Sequence, residues 1–175
     1  MSRKSWIAII AVPIVVLSAQ STPTWRVVGE PPGAPAGCST QAAAAAIDAF
    51  FAALRTGDST ALAQATAPMY NGEFDFYMGK FSSSDSGFRA RTLSELLPYA
   101  RSRAWQHERI TVQHVTFNYW RDQRLGFGPI YYLRSADDLG STPRAGIGKG
   151  EYWCGKGIFI LSMGPRPDFD PGPPK

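Results

Sequence analysis

The clearest periodicity in the chain lies between residues 39 and 56. Ile47, Phe50, Phe51 and Leu54 fall at i, i+3, i+4 and i+7, which puts four large apolar side chains on one stripe of a helix. The alanine run before them favours helix by itself. Ser39 or Thr40 can cap the first amides, and Gly57 can close the last turn in a left-handed conformation. Asp58 then caps a second, shorter helix over roughly 59–66, which must stop before Pro68. A third helix is predicted over 93–106, opened by the capping box Thr92-Leu-Ser-Glu95. Pro98 sits deep enough in it to kink or shorten it.

Other periods take over outside these helices. Phe74 and Phe76 alternate with Glu73, Asp75 and Tyr77, the pattern of a short strand, and 82–87 reads as a loop. From Arg109 onward the period is two. Ile110 and Val112 share one parity, while Val115, Phe117 and Tyr119 share the other. An extra residue near Gln113-His114, a β-bulge, brings both sets to one face and bends the strand. Arg121–Arg124 reads as a hairpin loop, 127–135 as a strand and 136–148 as a polar Gly/Pro-containing loop. Residues 149–154 and 158–163 form a second hairpin around Gly155-Lys156-Gly157. Ile158, Phe159, Ile160 and Leu161 are apolar at consecutive positions, as in a central strand covered on both faces. The order of elements is an α+β layout, with helices packed on one face of a bent sheet.

The two ends read differently. Arg3 and Lys4 are followed by an uncharged, mostly apolar run from Trp6 to Leu17 and by the small residues around Ser18–Ser21, the three-part layout of a secretory signal. The apolar run is well short of the ~20 residues that span a bilayer. The expected organisation is a signal peptide over 1–21, a Pro/Gly-rich connector over 22–38, one domain over 39–164 and a Pro-rich tail over 165–175. In the connector, Trp25, Val27 and Val28 can supply an edge strand. The mature chain is expected to be exported, periplasmic or secreted, with no transmembrane segment. In that compartment Cys38 and Cys154 read as a disulfide. Closing so long a loop is worth about 4–5 kcal/mol in the chain-entropy picture.

Composition narrows the function classes. A hydrophobic content of 44%, with 13% aromatic, suits a packed core and excludes a disordered chain. Taking Arg3 and Lys4 from the 18 basic residues leaves 16 against 14 acidic, too small a surplus to argue for nucleic acid or acidic lipid as partner. Two histidines seven apart and a disulfide pair do not make a metal-ligand set. Gly146-Ile-Gly-Lys-Gly150 precedes a strand rather than a helix, so it is not a phosphate loop, and no cofactor is expected. No Gly-X-Ser-X-Gly elbow occurs. His107-Glu108 and the arginines at 89, 91, 101, 103 and 109 read as surface.

Three segments carry a resemblance: the opening helix with its Gly57-Asp58 break (AIDAFFAALRTGDSTALAQATAP), the later helix TLSELLPYA, and the closing hairpin GKGEYWCGKGIFILSMGP. Over roughly residues 40–164 this order resembles the nuclear-transport-factor-two-like superfamily, also called ketosteroid-isomerase-like or the cystatin-like cone. The resemblance implies a curved antiparallel sheet of about four to six strands, wrapped around three helices and enclosing an apolar pocket. The family includes isomerases, dehydratases, polyketide cyclases, ligand binders and members with no chemistry. Isomerases of this type pair a carboxylate base with a tyrosine oxyanion donor. By that analogy Asp75 is a candidate base and Tyr77, Tyr119 or Tyr131 a candidate donor. The dehydratase pattern needs paired histidines and an acid, and the chain has only His107 and His114.

The candidate ligand contacts are therefore Tyr70, Asp75, Tyr77, His114, Tyr119 and Tyr131. The tyrosines offer apolar bodies with hydroxyl handles, and a bulge can re-aim His114. No residue is assigned as catalytic. The expected function is binding of a small apolar ligand or a partner protein. An isomerase- or dehydratase-like enzyme and a structural module of an envelope complex are the alternatives. A homodimer partner or an envelope protein would cover the outer side of the last strand.

Overall fold

The computed structural model describes residues 26–66, 74–82, 85 and 87–166. The expected signal segment, the start of the connector, Tyr70 and the tail beyond Arg166 lie outside the described residues.

The first helix, α1, spans Thr40–Thr56. The Ser39 side chain accepts a hydrogen bond from the Ala42 amide at 3.1 Å, and Gly57 closes the helix with φ 64°. Ile47, Phe50, Phe51 and Leu54 are all buried, as their spacing predicts. Gly57 is also a close approach: a Cβ there would lie 3.1 Å from the Arg101 backbone. Asp58 accepts from Ala61 at 2.8 Å and starts α2, Ser59–Ala65. The helix α3, Leu93–Trp105, opens with both halves of the Thr92/Glu95 capping box. Pro98 does not shorten it, because α3 runs seven residues further and presents the ring to solvent.

The strands are β1 (Arg26–Val28), β2 (Asp75–Met78), β3 (Phe88–Ala90), β4 (Arg109–Arg121), β5 (Arg124–Ser135), β6 (Arg144–Trp153) and β7 (Gly157–Pro165). They form one sheet in the order β1-β4-β5-β6-β7-β2-β3. Among the described residues the sheet has seven strands against the expected four to six, and it is mixed rather than purely antiparallel. The connector strand β1 lies parallel to β4, and β2 lies parallel to β7. The meander β4 to β7 has the antiparallel pattern that the sequence announces, and β2 and β3 also pair antiparallel.

The bulge expected near Gln113-His114 is present, since pairing slips between Val112 and His114. It turns Val112, Val115 and Phe117 to one buried face. A further slip between Phe117 and Tyr119 reverses the parity again, so Tyr119 departs from its expected set and faces solvent at 47% exposure. Opposite it, β5 has its own irregularity at Gly128-Pro129, and Asn118 Nδ2 donates to the Gly128 carbonyl at 2.8 Å.

The stretch 136–148 is not all loop. A short 3-10 turn, Asp137–Leu139, ends it early, and β6 begins at Arg144. The glycines that suggested a loop occupy the helix-facing positions of β6, where neighbours lie directly over them. A Cβ on Gly146 would fall 2.2 Å from Tyr132 Cζ, and one on Gly150 would fall 2.7 Å from Phe127 Cζ. Bare backbone is what lets these rings fill the core against α1.

The interior is filled. Phe50, Phe76, Phe88 and Tyr99 form a continuous aromatic cluster, with the Phe88 and Tyr99 rings stacked at 4.1 Å. A disulfide joins Cys38 to Cys154, as the cysteine count predicts, and fastens the connector to the β6–β7 turn. Among the described residues no helix is long and apolar enough to cross a membrane.

Candidate functional site

The family resemblance implies a pocket inside the cone, between helices and sheet. Among the described residues the void beside Phe51, Leu54, Arg103, Glu108 and Ile110 measures only about 10 Å³. That is room for about one water. The large concavity lies on the other side of the sheet.

Strand alternation fixes which side chains reach it. Phe76 pairs with Leu161 and Met78 with Met163, all buried against the helices. Their neighbours Tyr77, Ile160 and Ser162 therefore point outward, as do Ile147, Lys149 and Glu151 of β6. Together with Asn118, Tyr119, Pro129 and backbone from Gly126 to Gly164, they line an open groove of about 740 Å³. Tyr77 and Tyr119 are the exposed aromatics of its walls, at 45% and 47% exposure. Tyr119 lies flat over Gly126, where a Cβ would sit 2.3 Å from its ring, and its hydroxyl donates to Glu151 at 3.2 Å. Partial burial and the Glu151 charge raise the Tyr119 pKa, so the phenol stays a donor at neutral pH.

A second hollow of about 530 Å³ continues from Tyr119 and Glu151 toward Arg121, Arg124 and Trp153. There the Arg124 guanidinium lies 4.4 Å from the Phe159 ring centre and 5.2 Å from that of Trp153, and the Lys156 ammonium sits 3.7 Å from Trp153. The outer side of β7 is thus covered at Phe159 by Trp153 and Arg124, and opens into the groove from Ile160 on. The hollow at the groove's far end mixes both charges, Arg121 and Arg124 beside Asp122 and Glu151.

The six expected contacts divide. Tyr77 and Tyr119 share the groove. His114 and Tyr131 pair with each other on the same face, ring centres 4.4 Å apart, and the Arg166 guanidinium lies 4.7 Å from the Tyr131 ring. Asp75 is held by Arg89 across the β2–β3 pair, with Nε 2.8 Å from Oδ1. The Arg89 hydrogen bond holds its carboxyl below the usual carboxylate range, which weakens it as a base. Neither Asp75 nor His114 lines the groove. Tyr70 lies outside the described residues.

A charged cluster within the fold escaped the sequence reading. Arg134, on the buried side of β5, is 1% exposed. Its Nη2 donates to Glu108 at 2.8 Å and its Nη1 to Asp85 at 3.1 Å, while its guanidinium lies 4.8 Å from the Phe81 ring centre. Glu108, read as surface, is 2% exposed and also accepts from Arg103. Arg103, read as part of a solvated face, is buried and makes two bonds of 2.6 Å to Asp138. Tyr99 and Tyr132 border this cluster, and burial pushes both phenols well above their ordinary pKa. The signal available in the sequence was the parity of Arg134, two residues from Tyr132 and four from Ile130 on the same face. The cluster ties together α3, the turn before β4, β5, the 3-10 turn and the β2–β3 loop. Among the described residues no three His, Cys, Asp or Glu side chains gather as a metal site.

No protein-family model matches the sequence, and no curated protein matches it closely enough to be counted a relative. Solved structures do. The orange carotenoid protein of Anabaena (Nostoc) sp. PCC 7120 binding canthaxanthin superposes with a TM-score of 0.53 at 8% identity, over 84% of this chain and 40% of that one. A Xanthomonas campestris protein described as a calcium/calmodulin dependent protein kinase II association domain matches with a TM-score of 0.52 at 16% identity, over 81% and 97%. A Streptomyces avermitilis protein, described as a dehydratase of the NTF2-like family, matches with 0.50 at 11%, over 69% and 91%. The chain has the nuclear-transport-factor-two-like fold. It spans about two fifths of the length of the orange carotenoid proteins it matches. At these identities the likeness is one of fold, and the nuclear-transport-factor-two-like fold serves binding, association and catalysis alike.

Proposed function

We propose that this chain is an exported binding domain whose solvent-facing sheet groove takes an elongated apolar ligand. The observation that carries the reading is the groove itself: an apolar floor of Ile147, Ile160 and glycine backbone, walled by two half-exposed tyrosines. Large aromatic bodies with a hydroxyl at one edge suit a ligand that is mostly apolar with a polar tip. A structural neighbour that binds canthaxanthin supports this ligand class by analogy of fold. The disulfide and the signal-like N-terminus support export, with the signal removed near residue 21 and the domain occupying 39–164.

A second reading has its own observation. The same face is an open expanse of sheet flanked by exposed tyrosines, so a partner protein or a second copy would bury it equally well. The neighbour described as an association domain favours this form.

Native mass spectrometry of the protein from its host's exported fraction tests both readings. Under the ligand reading, an extra apolar mass accompanies the wild type and is lost in Tyr119→Ala. A doubled mass, abolished by Tyr77→Ala or Tyr119→Ala, supports the association reading. A bare monomer that binds no apolar compound from a broad library refutes both.

A further inference from the structure

We propose that the hollow at the tip of the β4–β5 hairpin is the head-group subsite of the groove, and that its ligand carries an uncharged, polyhydroxylated head, a sugar ring, on an apolar body. The inference rests on the groove being a binding site, as argued above, and names the chemistry of the ligand's polar end.

Strand register joins the two concavities. Tyr119 pairs with Gly126 and Gly126 with Glu151, so the three form one row across β4, β5 and β6. Arg121, Arg124 and Trp153 form a parallel row on the same face, two residues and about 7 Å further along the strands. Tyr119 and Glu151 line both the groove and the hollow, so a ligand lying on Ile147 and Ile160 reaches the hollow without leaving the surface. The exposed turn residues Asp122 and Gln123 complete the hollow's lining.

The charges decide the class of head. The hollow sets two carboxylates, Asp122 and Glu151, among the guanidinium groups of Arg121 and Arg124, with Gln123 beside them. A carboxylate or phosphate head meets the two acids there, and an ammonium head meets the two arginines, so neither charge is matched. A hydroxyl donates to a carboxylate and accepts from a guanidinium or an amide at the same time, and hydrogen bonds with one ionised partner are the stronger kind. A ring bearing several hydroxyls therefore satisfies this lining with no charge of its own.

The aromatic rings point the same way. A quaternary ammonium head needs open aromatic faces, but Trp153 already carries the Lys156 ammonium at 3.7 Å and the Arg124 guanidinium at 5.2 Å. Tyr119 lies on Gly126 and is 47% exposed, which leaves its outer face for the C–H side of a sugar ring. Its hydroxyl donates to Glu151 at 3.2 Å, and the oxygens of both groups keep lone pairs for ligand hydroxyls.

Isothermal titration calorimetry of the oxidised chain with decyl amphiphiles, each below its micelle concentration, varies the head alone: decyl maltoside, decanoate, decylphosphocholine and decyltrimethylammonium. Decyl maltoside should bind about tenfold more tightly than the others, the worth of about two hydrogen bonds, and maltose without the chain should bind far more weakly. Equal affinity for every decyl compound overturns the proposal and leaves the groove reading standing. Preference for a charged or zwitterionic head overturns it as well, and so does maltose binding as tightly as decyl maltoside. Binding of none of the decyl compounds overturns the groove reading and the proposal together. The double variant Asp122→Asn/Gln123→Ala supplies the second arm. Both positions are exposed, and asparagine tolerates the left-handed φ of 54° at residue 122. The variant should bind decyl maltoside about tenfold more weakly and no longer prefer it to decylphosphocholine. A variant that keeps the preference overturns the proposal.

Discussion

Replacing Glu108 by glutamine should be among the most damaging single changes in the molecule, although the side chain touches neither the groove nor the aromatic core. Glu108 is 2% exposed and carries the negative charge that Arg103 and Arg134 share. Removing one member of a buried charge set leaves the others desolvated and unpaired, at a cost of about 3–5 kcal/mol. Here Arg103 retains Asp138 and Arg134 retains Asp85, so the lower end, about 3 kcal/mol, is expected. Arg134→Met should cost a similar amount, because it strips one of two cations from Glu108 and the ring contact from Phe81. The double variant Glu108→Leu/Arg134→Met removes both buried charges and keeps apolar volume. Asp85 is then still held by the amides of Phe81 and Gly87, both at 3.0 Å. The double variant should therefore cost less than either single change, below about 2 kcal/mol, since well-packed apolar groups commonly replace buried ion pairs without loss. Urea unfolding of the oxidised chain at pH 7, with an unchanged m-value, measures all three. Additive losses, or a Glu108→Gln cost under about 1 kcal/mol, would refute the coupling and with it the claim that this cluster pins the fold.

Other consequences follow from the same geometry. Replacing Cys38 and Cys154 by alanine releases a crosslink 116 residues apart, and urea midpoints should report a loss approaching about 4–5 kcal/mol. A loss under about 1 kcal/mol would mean that the connector contributes nothing to constraining the unfolded chain. Stability should be flat between about pH 4 and pH 10 and fall on both sides, as followed by midpoint against pH. On the acid side, Asp75 is lowered by the Arg89 hydrogen bond and Asp138 by that of Arg103. Asp85 is also lowered, because backbone donors and Arg134 outweigh the cost of its burial. The stability these three supply is present above their unfolded pKa and is lost as pH falls through the depressed folded values. On the alkaline side, burial raises Tyr99 and Tyr132, so the unfolded phenols ionise first and stability falls above about pH 10. A stability curve still level at pH 11 would contradict their burial. Gly150→Ala, whose Cβ would meet the Ile160 carbonyl at 2.2 Å, should cost about 1–3 kcal/mol in thermal or urea unfolding. Gly164→Ala, with nothing within 4 Å of its Cβ, should stay within about 0.5 kcal/mol of wild type.

The helices were legible because capping and the 3.6-residue stripe are local signals. Ser39, Gly57, Asp58 and the Thr92/Glu95 box sit where short-range chemistry requires them, and the structure uses each one. The bulge at Gln113 was legible for a similar reason, since two apolar sets of opposite parity cannot share one face without an extra residue. The parallel pairings were not legible. β1 and β2 are three and four residues long, and what places them is the flank of a strand more than eighty residues away in sequence. Residues 144–148 were misread for a different physical reason. Glycine weakens a strand in isolation but is required at Gly146, where Tyr132 lies across the backbone, and that requirement belongs to the neighbouring strand.

The candidate site shows the same division more sharply. Tyrosines were the right residue type to watch, because a ring with a hydroxyl must either find a buried partner or keep an edge in water. Which of them face out depends on parity, and a single slip between Phe117 and Tyr119 decides it. Without that slip Tyr119 would point with Phe117 into the core, and one wall of the groove would be lost. Asp75 was a candidate base only by analogy with the carboxylate base of the isomerases. Arg89, fourteen residues later and diagonal to Asp75 across the β2–β3 pair, where it stands opposite Tyr77, turns it into half of an ion pair. A carboxylate held low by a guanidinium accepts a proton poorly, so the chemistry of that position was set by a register the sequence does not display. The proposed binding role draws on what the groove exposes, the rings of Tyr77 and Tyr119 beside Ile147 and Ile160, while Arg103, Glu108 and Arg134 are spent on one another inside the fold.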